Sequence, residues 1–333
     1  MTVAYPARLS LAQVPTPLHC LERLSAREGG PRIWVKRDDQ SGAATSGNKV
    51  RKLEFTLARA LAEGCDTIIT CGGVQSNHCR ATALLGARLG LKVHLVLRLD
   101  TPAAIEGNLM LDYLAGAEIT LLERDEYVRH QRDHFSHWHE LLLRQGRKPY
   151  FITTGASDAT GVWGYIGCAA ELKADFAQHG IAPQRIIHAT GSGGTQAGLT
   201  VGAALYGLPA QVVGMAVCDD ASYFEHKVAD DMLAWKTRYK TEVDLDSLNV
   251  VVDDRHIGAG YAIAGEDVFH CIRDLAALEG LVLDPVYSGK AFLGMLKNLR
   301  VGEYRDCSDL VFIHTGGLFG LLPQQSKLHL EQV

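Results

Sequence analysis

Short, largely apolar runs alternate along the chain with longer stretches in which apolar residues return every three or four positions. The short runs predict buried strands at 33–37, 67–71, 93–97 and 118–122, then at 185–190, 211–217 and 310–314. The longer stretches predict helices at 49–61 (closed by Gly64), 76–89, 109–114 and 126–144. Further helices are predicted at 161–178, 195–205, 223–236, 262–278 and 289–299. Residues 9–17 read as an extended lead-in broken by Pro15 and Pro17. The strand–helix rhythm runs from about residue 49 to about residue 150 and resumes after Gly155. Such a rhythm implies an α/β protein with two open parallel sheets, each covered by helices.

Composition narrows the class without choosing a function. The 333 residues are 47% hydrophobic and 21% charged, with a net charge of -5. That balance fits a globular chain and argues against nucleic acid or an anionic membrane as partner. No apolar run is long enough to span a bilayer. The stretch 1–10 lacks the charged start and apolar core of a secretory signal, so a cytoplasmic setting is expected. The eight cysteines are scattered without a Cys-x-x-Cys pair, which suits free thiols in a reducing compartment.

Candidate chemistry gathers where strands are expected to end, since open parallel sheets bind ligands beyond the carboxyl ends of their strands. Gly191-Ser192-Gly193-Gly194-Thr195 follows a predicted strand and opens a predicted helix. Its glycines let backbone N–H groups approach an anion, and with no lysine or arginine inside it the loop suits a small monophosphate. It matches neither a Walker loop nor the usual dinucleotide spacing. Lys49 follows Gly47 and Asn48, a good N-cap, and so falls in the first turn of a helix. The positive end of the macrodipole there favours a neutral amine able to attack an aldehyde, such as pyridoxal phosphate (PLP). The plainer reading places Lys49, Arg51 and Lys52 together on a solvated helix face.

Each remaining cluster also has a plain reading. Ser76-Asn77-His78 after Gly72-Gly73 is either a helix cap or a carboxylate site. Tyr261, after the glycine loop 257–260, and Tyr287, after Asp284-Pro285, are either packing residues or proton-exchanging phenols. Thr315 either ends a strand or offers a hydroxyl to a ring nitrogen. His130, His134, His137 and His139 lie among charged residues on a polar helix, and no metal is assigned to them.

Taken jointly, the stretches 46–53, 75–78, 191–195, 284–290 and 314–317 resemble the D-cysteine desulfhydrase and 1-aminocyclopropane-1-carboxylate (ACC) deaminase family, over nearly the whole chain. These are PLP enzymes of the tryptophan-synthase-β fold type (fold type II). The resemblance implies a large domain of residues 1–53 and 160–333 with a smaller α/β domain, 54–159, inserted, and a homodimer. It implies that Lys49 carries the Schiff base and that Gly191, Ser192, Gly193, Gly194 and Thr195 hold the cofactor phosphate. Asn77 would bond the pyridine oxygen, and Thr315 would face the ring nitrogen. Ser76, Asn77 and His78 would bind the substrate carboxylate, with Tyr261 and Tyr287 flanking the substrate as proton carriers.

ACC deaminases carry a glutamate directly after the tyrosine matching Tyr287, where this chain has Ser288. A hydroxyl in place of a carboxylate makes the ring a weaker electron sink, which disfavours cyclopropane opening. The expected activity is therefore α,β-elimination from a β-substituted amino acid. D-cysteine is the favoured substrate, with L-cysteate and ACC as alternatives. A nicotinamide-dependent oxidoreductase and a non-catalytic binding protein remain the readings from other classes.

Overall fold

The computed structural model describes residues 3–100 and 104–330. Its ten strands form two sheets. The larger has β1 (Leu18–Cys20), β2 (Arg32–Lys36), β7 (Arg185–Thr190), β8 (Gln211–Ala216), β9 (Val251–Asp253) and β10 (Asp309–Ile313), in the order β1-β2-β10-β7-β8-β9. The smaller has β3 (Thr67–Gly73), β4 (Lys92–Leu99), β5 (Glu118–Glu123) and β6 (Pro149–Phe151), in the order β5-β4-β3-β6. All neighbours are parallel except β1 and β2. Every residue of β10 is buried, as a parallel strand covered by helices on both faces must be. All strands of the small sheet fall between β2 and β7 in sequence, and both sheets present their carboxyl ends as loops carrying the candidate chemistry.

The helix Asn48–Ala62, called here the lysine helix, connects the two layers. Val50, Leu53, Leu57 and Ala60 pack into the core under the small sheet. Phe55 packs with Val162, Trp163 and Trp235 among the helices of the large sheet. With apolar partners on two sides, the helix has no solvated face from Val50 to Ala58: Arg51 is 3% exposed and Lys52 is 0%. This corrects the plain reading of Lys49, Arg51 and Lys52 as a surface run. The helix is also continuous across residues 53 and 54, so the two expected domains share it.

Other differences have local causes. Asn48 is the first helical residue and does not cap; Gly47 holds the cap position with φ 103°. The helix expected from 262 begins at Glu266 because Gly260 (φ 130°) and Ala262 (φ 59°) hold a turn ahead of it. Strands β1, β6 and β9 have three residues each, and the helix Glu22–Glu28 has seven, too short for periodicity to register. On the polar helix Arg124–Arg144, His130 pairs with Asp133 at 3.1 Å and His134 with Glu126 at 2.9 Å.

Buried charge fixes the lysine helix against the large sheet. Arg51 donates from Nε and Nη2 to Asp38 at 2.9 and 2.8 Å, and from Nη1 to Glu171 at 2.7 Å. Asp38 also accepts from the Tyr165 hydroxyl at 2.6 Å and the Thr16 hydroxyl at 2.8 Å. Burial alone would raise the Asp38 pKa, but Arg51 outweighs it and holds the carboxyl below the usual aspartate value. A depressed carboxyl pKa adds stability that is complete above the unfolded value, near pH 4, and is lost as pH falls through the lower folded value. We expect Asp38→Ala to cost about 3–5 kcal/mol in urea denaturation at pH 7, because it leaves a buried guanidinium half-paired. The gap between wild type and variant should narrow in acid.

Candidate active site

Three segments far apart in sequence converge at the amino end of the lysine helix. Gly47 lies against the Thr315-Gly316 turn, where a methyl group would stand 2.6 Å from the Thr315 carbonyl oxygen. The Asn48 N–H donates to that carbonyl at 3.1 Å, and the Gly47 N–H donates to the Asp38 carbonyl at 3.1 Å. Asn48 Nδ2 then donates to Thr195 Oγ1 at 3.1 Å. The residue expected to cap the helix instead ties the lysine segment to the glycine loop.

Gly155, which has φ 68°, lies at the meeting point. A methyl placed there would stand 2.5 Å from Ser192 Oγ and 3.1 Å from Lys49 Nζ. The ε-amino group thus lies beside the glycine loop. Ser157 braces that loop, donating to Ser192 Oγ at 2.9 Å and accepting from the Gly194 N–H at 3.1 Å. Lys52 Nζ donates to the Gly155 carbonyl at 3.2 Å and to Ser157 Oγ at 3.4 Å. Burial lowers the Lys49 pKa to about 8. Burial, with Lys49 nearby, pushes Lys52 well below its ordinary value. Neither ammonium has an ion-pair partner among the described residues. Two lysines without counter-ions, facing a glycine-lined helix start, form a site that an anion completes. The residues fit a phosphate held by Lys52, Ser157 and residues 191–195, with an aldehyde carbon within reach of Lys49.

The tyrosines stand opposite. The hydroxyls of Tyr261 and Tyr287 are 2.6 Å apart, with the rings at 71°. Tyr287 packs on Gly191, where a methyl would stand 3.1 Å from its Cε1. Tyr261 lies by Gly73 and beneath the Arg98 guanidinium, 5.3 Å from its ring centre, so it spans both sheets. Burial raises both phenol pKa values, and Tyr261 raises that of Tyr287 further. Asp284 sets the approach to Tyr287 by accepting from the Val286 and Tyr287 N–H groups at 2.9 and 3.0 Å. The Ser288 hydroxyl donates to Asp284 Oδ1 at 2.6 Å and accepts from the Asp284 N–H at 2.9 Å.

On the small sheet, Ser76 Oγ caps the helix Asn77–Arg88 by accepting from the Cys79 N–H at 3.2 Å. Asn77 Oδ1 accepts from Asn108 at 3.1 Å. His78 turns inward to Thr70, with Nε2 and Oγ1 2.8 Å apart. Since Thr70 gives its proton to the Ile152 carbonyl, His78 Nε2 is the donor and Nδ1 is left as an unpartnered acceptor. Burial near Lys49 and Lys52 pushes its pKa well down, so the ring is neutral.

The structure therefore brings Lys49, the 191–195 loop, Thr315, Tyr261, Tyr287 and the 76–78 turn into one neighbourhood. Sequence reasoning gave no role to Lys52, Gly155 or Ser157, and took Asp284 only as part of the turn before Tyr287. Only Lys52 had a signal, lying three residues after Lys49 and hence on the same helical face.

The chain matches the family model "Pyridoxal-phosphate dependent enzyme" over residues 9–316. It is a PLP-dependent lyase and belongs to the D-cysteine desulfhydrase/ACC deaminase family. It is 38% identical to the mitochondrial bifunctional D-cysteine desulfhydrase/ACC deaminase of Arabidopsis thaliana, covering 96% of this chain and 80% of that protein. It is 37% identical to the D-cysteine desulfhydrase of Klebsiella pneumoniae, covering 93% and 94%. The crystal structure of an ACC deaminase homologue superposes with a TM-score of 0.86 at 33% identity, covering 97% of this chain and 95% of that one. The match favours PLP over the nicotinamide alternative kept open by the α/β rhythm.

Three outcomes follow for the cofactor. The apo-protein should capture PLP faster as pH rises, with a midpoint near the Lys49 value of about 8, followed by absorbance. Lys52→Met should raise the apparent Kd for PLP by about 10- to 100-fold, the worth of a charge-assisted hydrogen bond. Lys49→Ala should leave nothing that borohydride can fix.

Proposed function

We propose that this lyase removes the β-substituent of a D-amino acid, converting D-cysteine and water to pyruvate, ammonia and hydrogen sulfide. The observation that carries the choice is Ser288, whose proton is committed to Asp284 at 2.6 Å. A hydroxyl engaged in this way cannot hold a pyridine nitrogen protonated as a carboxylate does. PLP, when bound, supplies the electron sink for the carbanion formed at Cα. A sink without a carboxylate partner suffices to expel a thiolate from Cβ, whereas opening a cyclopropane demands more. The D-cysteine desulfhydrase of Klebsiella pneumoniae, at 37% identity, supports the same choice.

The chain's own groups divide the work. Ser76, Asn77 and the free N–H groups at the start of their helix bind the substrate carboxylate, while neutral His78 fixes that turn through Thr70. Lys49, neutral for much of its population near pH 8, takes the Cα proton. The C–S bond breaks and the Tyr261–Tyr287 pair delivers a proton to the departing sulfur. Raised phenol pKa values keep both hydroxyls protonated at neutral pH, so the pair has a proton to share with the departing sulfur. Lys52 and the 191–195 loop would hold the phosphate, and Thr315 would offer its hydroxyl to the pyridine nitrogen. A homodimer, with residues 54–159 as the inserted unit, is part of the same proposal.

The test is a keto-acid screen of D-cysteine, L-cysteine, L-cysteate, β-chloro-D-alanine and ACC. D-cysteine and β-chloro-D-alanine should release pyruvate, and ACC should yield little or no 2-oxobutyrate. Tyr287→Phe should lower kcat for D-cysteine by about 10²-fold or more, the usual worth of a general acid. Its effect should be smaller on β-chloro-D-alanine, whose chloride leaves without a proton. Robust ACC turnover would overturn the Ser288 argument.

A further inference from the structure

Lys290 has no part in the roles assigned above. It lies in the first turn of the helix Ser288–Arg300, three residues after Tyr287, and is 2% exposed. That position is poor for a cation, because the helix macrodipole is positive there. It has no ion-pair partner among the described residues. Its Nζ donates to three backbone carbonyls: Gly260 at 2.6 Å, Ile257 at 2.8 Å and Val217 at 3.3 Å. One carbonyl comes from the end of β8 and two from the glycine loop leading into Tyr261.

That loop has little else to hold it. Gly258 (φ 72°), Gly260 (φ 130°) and Ala262 (φ 59°) are all left-handed or nearly so. Its backbone hydrogen bonds are Ile257 N–H to Asp254 at 3.5 Å and Ile263 N–H to Gly260 at 3.2 Å. The next residue, Tyr261, must nevertheless place its hydroxyl 2.6 Å from that of Tyr287. Converging carbonyl oxygens around a single positive charge, with Asp284 nearby but no carboxylate at ion-pair distance among the described residues, form a donor set that also suits a potassium or ammonium ion.

We propose that Lys290 is a positioning residue, a tethered cation in a carbonyl cage that holds the 257–260 loop and thereby the Tyr261 phenol. The same cage accepts a free monovalent cation once the side chain is cut away. The role assigned to Tyr261 rests on the reading of the site given above; the cage itself does not.

The test uses holoenzyme of wild type, Lys290→Ala and Lys290→Met in choline, potassium and ammonium chloride at equal ionic strength. In choline, Lys290→Ala should lose about 10- to 100-fold in kcat with D-cysteine, a loss typical of a displaced catalytic group, while KM changes little. Potassium or ammonium should restore most of that kcat and raise the melting temperature. Wild type should respond to neither salt. Lys290→Met, whose stem fills the cage without charge, should lose kcat in all three salts. Recovery of soluble Lys290→Ala only in potassium or ammonium would also support the cage. Wild-type kcat in Lys290→Met, or a Lys290→Ala whose kcat and melting temperature ignore the salt, would overturn it. If wild type turns over none of the candidate substrates, the functional reading fails, and the melting temperatures alone still decide the cage.

Discussion

Two lysines one helical turn apart, buried Lys52 and half-buried Lys49, lie side by side with no carboxylate paired to either among the described residues. Burying a lone ammonium is costly, and burying two near each other adds repulsion. A site that bears this cost must recover it from what it binds. An anion beside Lys52 would recover part of it, and Lys49, whose burial already lowers its pKa, would be suited to an aldehyde partner. The burial that lowers both lysine pKa values is thus also what suits the site to an anionic, electrophilic ligand.

The surrounding structure keeps those charges from escaping to water. Arg51, on the residue between them, is locked to Asp38 and Glu171, which fixes the rotation of the helix. Gly47 lets the backbone of the lysine segment touch that of the Thr315-Gly316 turn. Asn48 reaches Thr195, and Gly155 leaves room for Lys49 and Ser192 to approach one another. Where bulk would separate the segments, the sequence has glycine. Where charge would turn the helix outward, it has a buried partner.

Much of this was legible in the chain. Long periodic helices, apolar strands and loops at strand ends carry strong local signals, and Lys49, the 191–195 loop and both tyrosines could be singled out from them. What was not legible depended on contacts between distant segments. Lys52 reads as a surface residue until the helix is found packed on two sides. Asn48 reads as a cap, because nothing local announces that its amide is claimed by Thr195, 147 residues away. Ser157 lies in an irregular stretch and declares itself only through Ser192 and Gly194. His78 looks like a donor by type, and only its bond to Thr70 shows which nitrogen carries the proton.

The lysine helix passes unbroken from the catalytic end to the core of the smaller sheet. The smaller layer is therefore not a module that could be excised or traded between relatives at a linker. Grafting it from another family member would sever a rod whose first two turns carry both amines, leaving them on a frayed stub. A chimera that respects this architecture has to take its crossover before Gly47, so that the whole rod and the layer it enters come from one parent.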